Sequence, residues 1–371
     1  MSTIRRLIYG ETFTAVAYVL LAFLSLFFFF DVVDELPSLG KASALGDGAT
    51  YELRHALLYV LLMVPNRTYE LLPIAVLIGA VFVMARLAQS SEFTILRTSG
   101  LGPWRALRSL LGLGLIFVLL TFAVGDYLAP LADRSAQMLK ARFQGRINLG
   151  QTGAWLKERQ SYSSYSVNVG SVTALGALRD VRIFEMDNRG FLVSAVSAES
   201  GQIGDDGAWH LKQVVRREFN AGAGAVSLLQ ENRRDYRWPT ELTTEMVSVA
   251  LLNPDRMRTA DLYAYIQHLE SNGQTAQKHE IEFWRKVFYP LSCLVMVVLA
   301  LPFAYLHFRS GSIAGYVFGG VMTGISFFLL NNVFGYVGNI NQWQPWLAAA
   351  APAMIYSLMS LGAFGWLVLR R

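Results

Sequence analysis

The sequence predicts an integral membrane protein with six membrane-spanning α-helices and one large water-exposed β-domain inserted between the third and fourth. Three observations predict it. Of 371 residues, 53% are hydrophobic and only 16% charged, where a soluble domain carries about 25% charged residues. Between Ser310 and Leu369 there is no Asp, Glu, Lys, Arg or His, a run long enough for two crossings at about 20 apolar residues each. Between the third and fourth apolar runs the pattern changes to short segments separated by turn residues.

Taken in order, the first span falls at Thr12 to Val33 and the second at Tyr69 to Ala88. The third falls at Leu107 to Leu128, the fourth at Val287 to Leu306, the fifth at Ser312 to Tyr336 and the sixth at Trp346 to Leu369. The basic start Met1 to Arg6 is followed by an apolar run too long for a signal core, with Asp31, Asp34 and Glu35 where a cleavage site would stand. It is therefore expected to be a retained first helix. Pro65 and Pro73 interrupt the helix before and within the second span, so Leu53 to Val64 is expected to be a separate helix at the membrane face.

The net charge is +5 with a pI near 9.3. The arginines cluster beside apolar segments, which fits membrane topology rather than a nucleic-acid face. Arg5 and Arg6, then Arg86, Arg97, Arg105 and Arg108, then His307 and Arg309, then Arg370 and Arg371 all mark one side. Both termini are expected to be cytoplasmic and the insert, about 129–286, on the far side.

Within the insert, Val181 to Met186, Leu192 to Ala198, Trp209 to Val215 and Val226 to Gln230 read as strands. Asp187-Asn188-Arg189-Gly190, Asp205-Asp206-Gly207 and Gly222-Ala223-Gly224 read as the turns between them. An antiparallel domain at about 149–252 is flanked by helices over Leu131 to Arg146 and Thr259 to Asn272.

The chain carries no phosphate-loop, HExxH or GxSxG motif, and its five histidines have no ligand spacing. Its one cysteine, Cys293, lies in an apolar run. No catalytic residue, metal or cofactor is expected, and the chain is not expected to be an enzyme.

Three features bear on function. Ser90 to Gly100 has a serine N-cap, an acid in the first turn and a terminal glycine, the signature of a short cytoplasmic helix. Phe93 and Leu96 share a face that suits either docking on a soluble partner or lying on the membrane. In the fifth span Gly311, Gly315, Gly319, Gly320 and Gly324 allow close helix approach. That approach serves packing within the chain, a subunit seam or a movable gate. Lys41, Arg67, Arg134, Lys140 and Arg142 lie near the far ends of spans one to three. Basic groups there suit either lipid phosphates or interfacial snorkelling.

These residues, in this order, resemble the LptF/LptG permeases of the lipopolysaccharide exporter. Ser91-Glu92-Phe93-Thr94-Ile95-Leu96-Arg97-Thr98-Ser99-Gly100 looks like the family's coupling helix. Val33-Asp34-Glu35-Leu36, Ala129-Pro130 and Leu252-Asn253-Pro254-Asp255 match as well, the last two more in the manner of the LptG branch. So does Asp261 to Gly273 with Phe283-Trp284-Arg285-Lys286. The resemblance implies helices one to three over 1–130 with a coupling helix at 90–98, a periplasmic insert over 131–277 holding a β-jellyroll, and helices four to six over 278–371. It implies an inner-membrane permease that passes lipopolysaccharide outward along a periplasmic jellyroll bridge. Its partners would be an LptF-like permease, an LptB-like ATPase dimer and an LptC-like single-span protein, with no nucleic acid. Ser91, Glu92, Phe93, Leu96 and Arg97 would couple to the ATPase, Glu92 being the acid that meets it. Lys140 matches a basic position near the lipid phosphates, and spans one and five would line a cavity opening sideways to the bilayer. Asp31 stands where LptG-like chains often have lysine, so Lys41 or Arg67 would take over that contact. The alternatives are the LptF-type role and a membrane-anchored β-domain scaffold without transport.

Overall fold

The computed structural model describes residues 2–43, 49–90, 92, 95, 98, 102–144, 153–160, 163–173, 177–204, 207–222, 225–242, 246–247, 254–305 and 313–366. These form two compact units, one of 1–34, 60–132 and 277–371 and the other of 35–59 and 133–276.

The first unit is helical. Among the described residues six helices are long and apolar enough to cross a membrane: α1 (Ser2–Glu35), α2 (Leu53–Gln89), α3 (Pro103–Ala123), α6 (Gln277–Ala300), α7 (Ile313–Ile340) and α8 (Pro345–Phe364). A π turn, Val124–Leu128, joins α3 to α4 (Ala129–Gln144); most of α4 and all of α5 (Thr259–Ser271), which precedes α6, belong to the second unit. The core takes Leu72, Leu77 and Met84 from α2, Leu113 and Phe117 from α3, Met296 and Val297 from α6 and Tyr356 from α8.

Two expectations are corrected. The separate helix at Leu53 to Val64 is instead the first part of one helix, α2, that runs through Pro65 and Pro73. A proline inside a helix costs about 3 kcal/mol, and in lipid the freed carbonyls find neighbours from packed helices. Here 83% of the most apolar stretch of α2 is buried, and that packing offsets the cost. The fourth span begins ten residues earlier than its apolar core, because Gln277–Lys286 is already helical.

The helices differ sharply in how deeply they pack. Only 6% of the most apolar stretch of α1 and 22% of that of α7 is buried. The glycines of α7 divide accordingly. A Cβ at Gly320 would meet Val81, and one at Gly324 would lie 2.8 Å from Ile74, so these two seat α7 on α2. At Gly315 and Gly319 a Cβ would meet nothing within 4 Å. Packing within the chain accounts for the first pair and leaves the second facing outward. Gly311 lies outside the described residues.

The second unit holds a six-stranded antiparallel sheet in sequential order: β1 (Ala154–Arg159), β2 (Ser163–Val172), β3 (Leu178–Asp187), β4 (Leu192–Ile203), β5 (Ala208–Gly222) and β6 (Ala225–Pro239). The sheet rolls over on itself. Six strands laid flat would hold β1 and β6 about 24 Å apart, yet Gln160 after β1 donates to the Pro239 carbonyl and the Tyr165 ring of β2 lies 5.7 Å from that of Trp238 on β6. Glu158 of β1 accepts from the Thr240 hydroxyl and from the Glu241 N–H at 3.2 Å, closing the seam. Inside lie Leu156, Val167, Leu178, Ile183, Trp209 and Leu211.

A line of irregular backbone crosses the sheet. Asp180 and Gln213 have φ of 53° and 52°, and the register on either side aligns Gly170, Asp180, Glu199 and Gln213 across β2 to β5. A left-handed residue breaks the pleat, so an aligned pair is a fold line for the roll. Left-handed backbone costs a non-glycine residue about 1–2 kcal/mol, against roughly 0.5–1 kcal/mol of added entropy for glycine. Both side chains are exposed. Asp180→Gly and Gln213→Gly are therefore each expected to stabilise the domain by about 0.5–1 kcal/mol, read as a higher thermal midpoint.

Candidate functional site

The basic residues that the sequence singles out are already engaged, mostly with acids. In the helical unit Arg67 on α2 makes a two-pronged contact with Asp31 on α1, Nη2 to Oδ1 at 2.8 Å and Nε to Oδ2 at 3.2 Å. Glu70 lies 3.5 Å from the same guanidinium, which also sits 5.2 Å from the Phe27 ring centroid. The acid at position 31 is thus engaged by the Arg67 guanidinium.

In the second unit Lys140 on α4 donates to Glu35 at 3.1 Å and sits 4.5 Å above the Tyr59 ring. Tyr51 donates to the other oxygen of Glu35 at 3.2 Å. Glu35 and Tyr51 are buried, and burial, with the Glu35 charge beside it, pushes the Tyr51 phenol well above its ordinary range. Tyr51, Ala56 and Phe143 form a small core beneath this trio. Arg142 next to it offers its carbonyl to Ser43 at 3.5 Å and its guanidinium to the Phe143 ring at 5.9 Å. Lys41 is exposed and donates to Ser38 at 3.3 Å. Arg134 is elsewhere in this unit, paired with Asp261 of α5 at 3.0 Å.

Sequence reasoning named the cations and these acids but not which of them pair. Asp31, Glu35 and Asp261 stand 36, 105 and 127 residues from their partners, and no periodicity links positions so far apart. A fourth pair, Glu11 with Arg86 at 2.5 Å, ties the N-terminal part of α1 to the end of α2. It lies along a groove of about 410 Å³ that Arg6, Gly10, Thr14, Tyr18 and Phe82 also line.

Of the coupling residues, Ser91, Phe93, Leu96 and Arg97 lie outside the described residues. Glu92, Ile95 and Thr98 are helical. Glu92 is exposed, Ile95 is 62% exposed and the Thr98 hydroxyl donates to the Ile95 carbonyl at 2.9 Å.

Six apolar helices and an inserted rolled sheet among the described residues define a multi-pass membrane protein with a β-domain. The chain belongs to the family of lipopolysaccharide export system permeases LptF/LptG, whose model matches residues 6–370. It is 28% identical over 371 residues to the lipopolysaccharide export system permease protein LptG of Escherichia coli strain K12, covering 98% of this chain and 97% of that one. The LptG protein of Haemophilus influenzae is 26% identical over 374 residues, with 100% and 99% covered.

Proposed function

We propose that the chain is the LptG-type half of an ATP-driven permease that takes lipopolysaccharide from the bacterial inner membrane and passes it to a periplasmic bridge. The observation that carries this reading is the match to the LptF/LptG family along nearly the whole chain. The relatives named above are LptG proteins, which favours that branch over LptF. In this reading 1–130 holds spans one to three and the coupling helix, 131–277 is the periplasmic insert and 278–371 holds spans four to six. Both termini are cytoplasmic.

The shallow packing of α1 and α7 supports a partner. Apolar helices left so open in one chain face lipid or a second subunit, and the open glycines Gly315 and Gly319 suit close approach by another helix. Among the described residues, Glu92 and Ile95 present a charge and an apolar group on an exposed helix, which suits an ATPase groove. Arg67, Lys140, Arg134, Arg142 and Lys41 are the cations for the lipid's phosphates. Arg67 is the best suited of them, since its guanidinium fork matches a phosphate as well as a carboxylate. A scaffold without transport would not need the coupling helix.

The test is to purify the tagged chain from its native membrane in mild detergent and weigh the intact assembly. A second six-span chain and two copies of a soluble ATPase are expected. Recovery of the chain alone, or with envelope proteins only, would overturn the ATP-driven reading.

A further inference from the structure

We propose that the Asp31–Arg67 pair is a latch that holds α1 against α2, and that a phosphate-bearing lipid releases it by taking the Arg67 guanidinium. The ligand half of this inference rests on the function proposed above; the latch itself rests on geometry alone.

α1 is a 34-residue helix whose most apolar stretch is only 6% buried, its packing concentrated at residues such as Ile8, Phe13 and Val16 in its N-terminal half. Among the described residues, three contacts at different levels bear on how α1 meets α2. Near the N-terminus Glu11 meets Arg86 at 2.5 Å. In the middle Val16 is buried against Gly79, so closely that a Cβ on Gly79 would lie 2.8 Å from the Val16 backbone nitrogen. At the far end stand the two hydrogen bonds from Arg67 to Asp31. Val16 and Asp31 are about 22 Å apart along the helix at 1.5 Å per residue. Over that length Leu21, Leu26, Phe29 and Phe30 are all more than half exposed. The middle contact is steric and tight, so it acts as a pivot. The far contact is ionic and exchangeable.

What can exchange with it follows from the chemistry. A guanidinium presents parallel N–H donors that fit carboxylate and phosphate alike. The Arg67 side chain is 29% exposed and the Asp31 side chain 20%, so an anion can reach the pair from outside. Glu70 holds Arg67 from its own helix at 3.5 Å and keeps the cation in place when Asp31 leaves. Once a phosphate occupies the fork, the Asp31 carboxylate loses its partner and stands beside an anion. α1 then swings about the Gly79 contact. The lipid thereby stabilises the open arrangement, which is the differential affinity that a ligand-driven change requires. An acid at position 31 thus ties release of α1 to arrival of the phosphate.

The experiment places spin labels at Phe29→Cys on α1 and Leu61→Cys on α2, both about 60% exposed. The native Cys293 is buried and stays unlabelled. Distances are read in the assembled complex in an uncharged sugar detergent. Intact lipopolysaccharide is expected to lengthen the distance by about one helical turn, ~5 Å, while the same lipid stripped of its phosphates leaves it unchanged. Asp31→Asn is expected to show the longer distance without lipid, and Asp31→Glu to retain the short one. The latch is overturned if Asp31→Asn keeps the short distance, or if stripped lipid acts as well as intact lipid. A phosphatidylglycerol arm separates the two ideas. Lengthening by that lipid alone upholds the latch and removes lipopolysaccharide as its ligand, which counts against the proposed function.

Discussion

Replacing Glu92 by lysine is expected to strip the ATPase from the complex and abolish lipopolysaccharide-stimulated ATP hydrolysis. Glu92 is exposed within a helical stretch, and Ile95 three residues on is also exposed, so the pair shares a face. If that face docks in a groove, reversal puts a lysine where an acid met a cation. Truncating one partner of a buried charge pair costs about 2–5 kcal/mol. Even the lower figure is a loss of roughly 30-fold in affinity. Glu92 also sits in the first helical turn, where an acid is worth about 0.3–1 kcal/mol through the helix dipole. Glu92→Gln is therefore the control, since it removes the dipole benefit without introducing repulsion. Mass measurement of the purified assembly gives the ATPase stoichiometry directly. Full occupancy and normal stimulated hydrolysis by Glu92→Lys would remove this residue from the interface.

The second large effect is expected at Trp209, near the start of β5 and buried inside the rolled sheet. Its side chain is fully buried, its ring stands edge-on to Trp238 at 5.3 Å, and its indole N–H donates to the Leu242 carbonyl at 2.9 Å. Trp209→Ala removes the largest fully buried side chain among the described residues and leaves a carbonyl without its donor. The cavity term for such a change is about 3–5 kcal/mol, and the unpaired carbonyl adds to it. For a unit of this size each kcal/mol moves the midpoint by about 2–4 °C. The thermal midpoint of the insert, followed by proteolysis of the full chain, is expected to fall by roughly 6–20 °C. Trp209→Phe keeps most of the volume and loses the hydrogen bond, so it separates the two contributions. A shift below about 2 °C for the alanine variant would mean that the roll is held at its seam by Glu158 and Thr240 rather than by its core.

The six spans were legible because lipid allows no half measures: a crossing helix must be apolar for its whole length, and such runs stand out in composition. Strands β3 to β6 were legible where Val, Ile, Leu and Trp cluster between turn residues such as Asp187 to Gly190. β1 and β2 were not singled out. β2 reads Ser-Ser-Tyr-Ser-Val-Asn-Val-Gly-Ser-Val, and its serines and asparagine resemble loop composition. Asn168 and Ser171 are buried in it all the same, so pairing on both edges overrides propensity there. The proline break in α2 failed for the same kind of reason, since neighbouring helices stabilise what the local sequence disfavours.

By itself the sequence determined what its short-range physics controls: the number of crossings, the place of the insert, the absence of familiar catalytic motifs and the family resemblance. Tertiary structure alone decided which charges meet. Asp31 with Arg67, Glu35 with Lys140 and Asp261 with Arg134 join residues from different elements. It alone also decided that α1 is held at a few points while α2 is buried, because burial depends on which neighbours surround a helix and not on how apolar that helix is. A charge or an apolar side chain carries its chemistry in the sequence, but its partner is chosen only when the chain folds.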